Sequence, residues 1–429
     1  MLHHDKIAVT RFVIITGLIF LPVLPACGQS DSLSFWLRSA LENNTVIAAA
    51  KANVDARKQR IRIEQSLPDP SFSGDFMITP AELRTGTREA STGLSQMVPW
   101  PGKLLTQKAI AQKEYEIALE ARRSAEAKVL ADVRRVYAEY YSIGKEIGIS
   151  QDNLKLLQEM EKVLVAHYAT AMAPQVSLLK IQIEMASLED QIKSLFADKV
   201  TIQEKAILLL NVADNTVLPT PAHLPQLEVP AYADSLIIHA EMNNPELIQA
   251  RSEADAASLQ VDLAKQNFAP DLMLSTGYTF GKSTVPMESG KYPWAAGASI
   301  SIPIWTSSKI ARISEARARK EMQRANVAGI RNEIVTDSKT LIEEYHDAQR
   351  KINLYMETLI PQSQRITSLV QESYISGKAT ILDFLDAQRM QLDLQVMLEK
   401  QKARKEIIAG SIDMLLGGKL TRKSIGIHE

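Results

Sequence analysis

Four stretches of the chain alternate apolar and polar residues with a period of two, and long stretches of helical spacing surround them. From Ser71 to Thr79, Phe72, Phe76 and Ile78 oppose Ser71, Ser73, Asp75 and Thr79, the pattern of a strand with two unlike faces. Ala90 to Val98 repeats it more weakly, with Leu94 and Val98 on one face. Further on, Leu272, Leu274, Tyr278 and Phe280 oppose Ser275, Gly277 and Thr279. Trp294, Ala296, Ala298, Ile300 and Ile302 then oppose Ala295, Gly297, Ser299 and Ser301. Strands are predicted over about 71–79, 90–98, 271–280 and 294–304, with a polar loop from Pro80 to Arg88.

The intervening sequence is helical. A first pattern runs from Ser32 to about Gln65, broken at Asn43-Asn44 and stopped by Pro68 and Pro70. No proline occurs from Leu104 to Ala173, and Val129, Val133, Val136, Tyr140 and Ile143 follow heptad-like spacing. At 1.5 Å per residue such a helix is about 100 Å long, which is coiled-coil or tube material rather than a globular helix. A second limb runs from about Gln175 to Leu210, and a connector rich in proline follows. The cycle then restarts: Asn243-Asn244 echoes Asn43-Asn44, Pro270 stands where Pro68 did, and Ile302-Pro303 matches Val98-Pro99. A long helix is predicted from about Ser308 to Tyr374 with a bend at Pro361, and a return limb from Ile381 to Leu416. Aligning Tyr168 with Tyr374 brings Leu178-Leu179 onto Phe384-Leu385 and Leu208-Leu209-Leu210 onto Met414-Leu415-Leu416. The chain reads as a tandem repeat: 27–211, a linker over 212–232, and 233–417, with helical hairpins over about 104–210 and 308–416. A polar tail covers 418–429.

The two hairpin tips carry the candidate chemistry. In Tyr374 to Arg389, Ser376-Gly377 breaks one helix and Thr380 caps the next, which starts at Ile381. Ile381, Leu385 and Leu392 share a face at 100° per residue, and Asp383 and Asp386 lie about 140° away from it. The counterpart turn, Tyr168 to Pro174, has Ala171 and Met172 near the position of that glycine.

Composition narrows the options. A net charge of −1 offers no basic surface for nucleic acid, and the alternating charges along the helices read as solvated faces. One cysteine, Cys27, permits no intrachain disulfide, and the seven histidines show no metal-binding spacing. No catalytic triad, P-loop or GxGxxG is visible, so an enzyme is the least supported class and no cofactor or metal site is expected. Lys6 and Arg11 precede an apolar run from Phe12 to Val23, too short to span a bilayer and of the length of a signal-peptide core. Residues 1–26 are read as that signal. Leu24-Pro25-Ala26-Cys27 resembles a bacterial lipobox, which implies lipidation of Cys27. Ordinary cleavage nearby with an unused cysteine is the alternative.

Strands of this length fit a transmembrane barrel, with one face to lipid and one to water, or a small soluble sheet packed on helices. Four strands cannot close a barrel, and an open edge is not tolerated in lipid. Strands that enter a membrane must therefore come from several chains, and three chains supply twelve. The helices are too polar for lipid and belong outside the bilayer; a signal peptide puts them in the periplasm.

On these residues the chain resembles the TolC family of trimeric outer-membrane efflux channels over nearly its whole mature length. The second tip is similar to the family segment Y-x-x-G-x-x-x-x-x-D-x-x-D-A, here Tyr374, Gly377, Asp383, Asp386 and Ala387. The resemblance implies a mainly α fold with a β-barrel part: a periplasmic helical tube and four strands per chain in a shared twelve-stranded trimeric barrel. It implies a homotrimer in the outer membrane of a Gram-negative bacterium, working with a periplasmic adaptor (membrane fusion) protein and a proton-driven inner-membrane pump of the resistance-nodulation-division type. It also implies that Asp383 and Asp386 ring the periplasmic aperture and that the adaptor meets the tips at Tyr168, Ala173, Tyr374, Gly377 and Lys378. The family's basic tether near this turn would align with Ala379, beside Lys378. Val98-Pro99-Trp100-Pro101-Gly102-Lys103 resembles a junction found in members linked to heavy-metal cation efflux. Heavy-metal cations or small toxic compounds are the cargo this suggests. Type I protein secretion is the alternative within the family, and a lipid-anchored periplasmic scaffold without a pore is the alternative outside it.

Overall fold

The computed structural model describes residues 32–83, 86–214, 216, 218–225, 227–283 and 294–424. The signal segment, Cys27 and the end of the tail lie outside the described residues. The order is α1 (Ser32–Asn43), α2 (Thr45–Glu64), β1 (Ser71–Leu83), β2 (Gly86–Val98), α3 (Lys103–Ala169) and α4 (Gln175–Leu210). Then come α5 (Ala233–Asn243), α6 (Pro245–Gln266), β3 (Leu272–Ser283), β4 (Trp294–Ile300) and α7 (Thr306–Leu354). A π-helical turn (Tyr355–Leu359), α8 (Ile360–Ile375), α9 (Ile381–Leu415) and α10 (Lys419–Ser424) complete the chain.

The four strands form one antiparallel sheet in the order β1-β2-β3-β4. Its register carries the period-two pattern across the sheet. Phe72 pairs with Leu94, Leu94 with Thr276 and Thr276 with Ala296; Leu272 pairs with Ile300 and Tyr278 with Trp294. One face therefore holds Phe72, Phe76, Leu94, Leu274, Tyr278, Phe280 and Trp294. The other holds Ser73, Asp75, Ser91, Gly93, Ser275, Gly277, Gly297 and Ser299. Among the described residues no helix covers the apolar face, and Phe76 is 86% exposed. Tyr278 stacks edge-on against Phe280 and Trp294, at 4.7 and 5.6 Å between ring centroids.

The first two strands are longer than the alternation predicts. The stretch expected to be a polar loop continues the ladder, because a register shift between Phe76 and Ala81 takes Pro80 into the strand. A bulge tolerates a residue without an N–H donor. At the other end β4 stops at Ile300 instead of reaching 304, where Pro303 cannot donate. The polar tail is also shorter than expected: α10 folds back, with Thr421 buried. Asp413 accepts hydrogen bonds from the backbone N–H groups of Leu420 and Thr421. Arg134 joins α3 to both neighbours, donating to Glu406 on α9 and to Thr421 on α10.

Below the sheet, α2 and α6 pack on α3 and α7 respectively. The breaks at Asn44 and Asn244 are N-caps. Each side-chain oxygen accepts from backbone N–H groups of the following helix. Each side-chain amide donates to the end of a return limb, Asn44 to the Leu209 carbonyl at 2.9 Å and Asn244 to that of Leu415 at 3.1 Å. A core around Trp36, Tyr137 and Tyr140 ties α1 and α3 to the end of α4, and a second joins α5, α6, α7 and α9 through Leu236, Leu247, Ile342 and Ile412. Lys103, the last residue of the VPWPGK junction, is buried; its ammonium donates to the Ala269 carbonyl and to Asp271 at 2.7 Å. This clasp fastens the start of α3 to the entry of β3. Among the described residues no helix is long and apolar enough to cross a membrane.

Candidate functional site

The far ends of the helices converge on one core. Leu157, Met160 and Leu164 of α3, with Ile181 and Leu188 of α4, pack against Tyr374, Ile381, Phe384 and Leu385 of the second hairpin. Ile381, Leu385 and Leu392, which share a face by sequence periodicity, all pack in or against this core, and that face docks the two hairpins together.

Both turns use the same backbone device. Gly377 has φ of 76° and Ala171 has φ of 60°. In each, the residue after the left-handed position donates back five residues: Lys378 to Ser373 and Met172 to His167, both at 2.8 Å. A glycine adopts this conformation freely, whereas an alanine pays for its Cβ. The five tip positions differ in setting. Tyr168, Gly377 and Lys378 are exposed and Ala173 is half-buried. Tyr374 is buried in the tip core with its ring near His167, and burial pushes its hydroxyl pKa up.

Asp383 and Asp386 are both exposed on the first two turns of α9. Asp383 has a structural task at the start of α9. It completes a capping box with Thr380, accepting from the Thr380 N–H at 2.9 Å while the Thr380 hydroxyl accepts from the Asp383 N–H. The Thr380 backbone hydrogen bond, then its hydroxyl, hold the Asp383 carboxyl below its ordinary value. Asp386 lies 3.8 Å from Arg389. Arg389 in turn grips Glu184 of α4 with two nitrogens, Nε at 2.9 Å. A basic link between the two hairpins thus exists at Arg389, three residues beyond Asp386. The i,i+3 spacing of Asp386 and Arg389 is visible in the sequence; the partner Glu184, 205 residues away, is not. Among the described residues no group of three or more His, Cys, Asp or Glu gathers into a metal-binding cluster.

Known proteins share this architecture. The channel OprN superposes with a TM-score of 0.80 at 17% identity, covering 91% of this chain and 90% of that one. CusC, described in terms of transmembrane channel formation, gives 0.76 at 18% identity over 90% and 92%. In sequence the chain is 20% identical over 408 residues to the outer membrane efflux protein BepC of Brucella suis, covering 93% of this chain and 88% of that protein. It is 22% identical over 417 residues to the cobalt-zinc-cadmium resistance protein CzcC of Cupriavidus metallidurans, covering 94% of each. The profile of the outer membrane efflux proteins matches residues 36–207 and 236–418, one segment for each half of the chain. The chain belongs to the outer membrane efflux protein family: its place is the outer membrane and its work is efflux.

Proposed function

We propose that three copies of this chain form a passive conduit from periplasm to exterior, the outer-membrane part of a tripartite pump. The observation that carries this is the open sheet. Its apolar face is uncovered, and β1 and β4 each have one unpaired edge within the chain. Lipid admits such a sheet only if other copies close it, and three sheets of four strands give a barrel of twelve. The small polar residues of the other face then line the water-filled bore. The matching caps at Asn44 and Asn244 support a two-fold repeat, so that two hairpins per chain give six around the tube. Residues 1–26 are removed as a signal peptide, and Cys27 carries a lipid anchor.

At the periplasmic end, Asp383 and Asp386 from three chains place six carboxylates around the aperture. Such a ring attracts cations and repels anions. The exposed tip residues Tyr168, Gly377 and Lys378, with Ala173, meet the adaptor, while Tyr374 supports them from within. The inner-membrane partner is a proton-driven pump of the resistance-nodulation-division type. For cargo, the near full-length match to CzcC and the VPWPGK junction favour heavy-metal cations. The match to the toluene efflux pump protein TtgF of Pseudomonas putida, 24% identical over 76% of that protein, keeps small toxic compounds as the second reading.

Deletion of the gene tests the assignment. Sensitivity to cobalt, zinc and cadmium is expected to rise while tolerance of toluene is unchanged; the reverse outcome supports the second reading. Outer-membrane extracts should show a trimer band on mild gels that collapses to monomer on boiling. A monomer stably inserted in membranes would overturn the shared barrel.

A further inference from the structure

A cavity of about 340 Å³ lies where the linker crosses the second half of the chain, far in sequence from the tip residues. Its walls come from the linker (His223, Leu224, Pro225, Leu227), from α7, from Met356 in the π-helical turn and from α9, with Tyr141 of α3 at one side. The lining divides by chemistry. Leu224, Leu227, Ile352 and Met356 give it an apolar floor, and Tyr345 offers an aromatic face.

The charges on the wall do not cancel. Tyr141 donates to Glu399 at 2.6 Å, and Lys402 pairs with the same carboxylate at 2.8 Å. Glu406 is taken by Arg134. Lys405 forms none of the described ion pairs; the Glu406 carboxyl beside it feels its charge but is in contact with Arg134. Its ammonium donates to the Gln349 side-chain oxygen and sits 5.0 Å from the centre of the Tyr345 ring. A neutral amide and an aromatic face orient the cation without neutralising it. A half-buried ammonium that makes no ion-pair contact, beside an apolar space, is complementary to one negative charge on an apolar body. A dry cavity of about 150 Å³ holds a benzene, so this one has room for two fused rings with an acidic group.

We propose that this cavity is a binding site for a monoanionic aromatic acid, its carboxylate on Lys405 and its rings against Tyr345, Leu224, Leu227 and Ile352. The site is independent of the aperture and of the cargo carried through the bore. Because its walls include the linker, α7, α9 and the π-helical turn, an occupant holds all four together.

The test is a calorimetric titration of 2-naphthoate into the full-length trimer in lipid nanodiscs, with empty nanodiscs as the reference. One saturable site per chain is expected, and 2-naphthamide, which has the shape without the charge, should bind about tenfold more weakly or worse, the usual cost of losing a charged hydrogen bond. Lys405→Met should weaken 2-naphthoate to the level of the amide, while Lys405→Arg retains binding. Leu227→Trp, which fills the space and leaves the lysine in place, should abolish binding of both compounds. Each variant is compared as an intact trimer on mild gels. Absence of saturable binding to the wild-type trimer, or binding unchanged in either the Lys405→Met or the Leu227→Trp trimer, would overturn the proposal.

Discussion

Ala171 and Gly377 occupy equivalent left-handed positions in the two tips, and only one of them is a glycine. Ala171→Gly should therefore stabilise the first turn by roughly 1 kcal/mol, since it removes the Cβ clash of the left-handed conformation. Slower proteolytic cleavage at that tip would report it. Asn44 and Asn244 make a similar pair. Asn244→Ala removes a cap and leaves the Leu415 carbonyl without its donor, at a cost of about 1–2 kcal/mol. Asn244→Ser keeps an uncharged cap oxygen and loses the donor to Leu415, so a smaller drop in the thermal midpoint is expected. The cap positions were legible in the sequence as doubled asparagines at helix breaks. Their side-chain amides were not, because the carbonyls they reach lie 165 and 171 residues away.

Among the elements, α9 shows how a functional reading and a structural one come to rest on one side chain. Asp383 completes the capping box as well as serving the proposed aperture, so Asp383→Ala would confuse a change of charge with fraying of the first turn. Asp386→Asn leaves the box intact and is the cleaner probe: cation selectivity and block by multivalent cations in a planar bilayer should both weaken. The capped carboxyl is held below its ordinary value, so its contribution is present above that value and is lost as pH falls through the lowered one. Circular dichroism of the trimer on acidification, compared with Thr380→Val, measures it. Glu184→Gln should loosen Arg389 and raise conductance without altering the box. The π-helical turn was half legible. Pro361 announced a disturbance, and its ring crowds the carbonyl four residues back, at Glu357. The sequence did not indicate that the helix would answer by widening over Tyr355–Leu359, with the Ile360 N–H reaching Tyr355.

At the scale of the whole molecule, periodicity exposed what repeats and missed what crosses. The strands, hairpins and tips follow from local spacing. The contacts among α3, α9 and α10 do not: Arg134, Glu406 and Thr421 read as ordinary helix and tail residues until the chain folds back. Burial lifts Glu406 to about 7 against the pull of Arg134. A carboxyl raised in this way favours the fold fully below its unfolded value, and that contribution is lost as pH rises through about 7. Thermal stability of the trimer should therefore fall between about pH 5 and pH 8. Glu406→Gln, neutral at every pH like the protonated carboxyl, should flatten that slope, and the loss of Arg134's counter-charge should tell only above about pH 7, where the wild-type carboxyl ionises.

The two long limbs that descend from the sheet are built differently. The first, α3, is unbroken from the Lys103 clasp to Ala169, 67 residues in one helix. The second is interrupted by the π-helical turn between α7 and α8. In mechanical terms the first limb is a strut and the second is a jointed arm. A load applied at the tips meets a member that transmits it to the clasp and another that can yield partway. Three struts alternating with three jointed arms would hold the tube's length and bearing on the membrane while leaving its mouth free to change diameter.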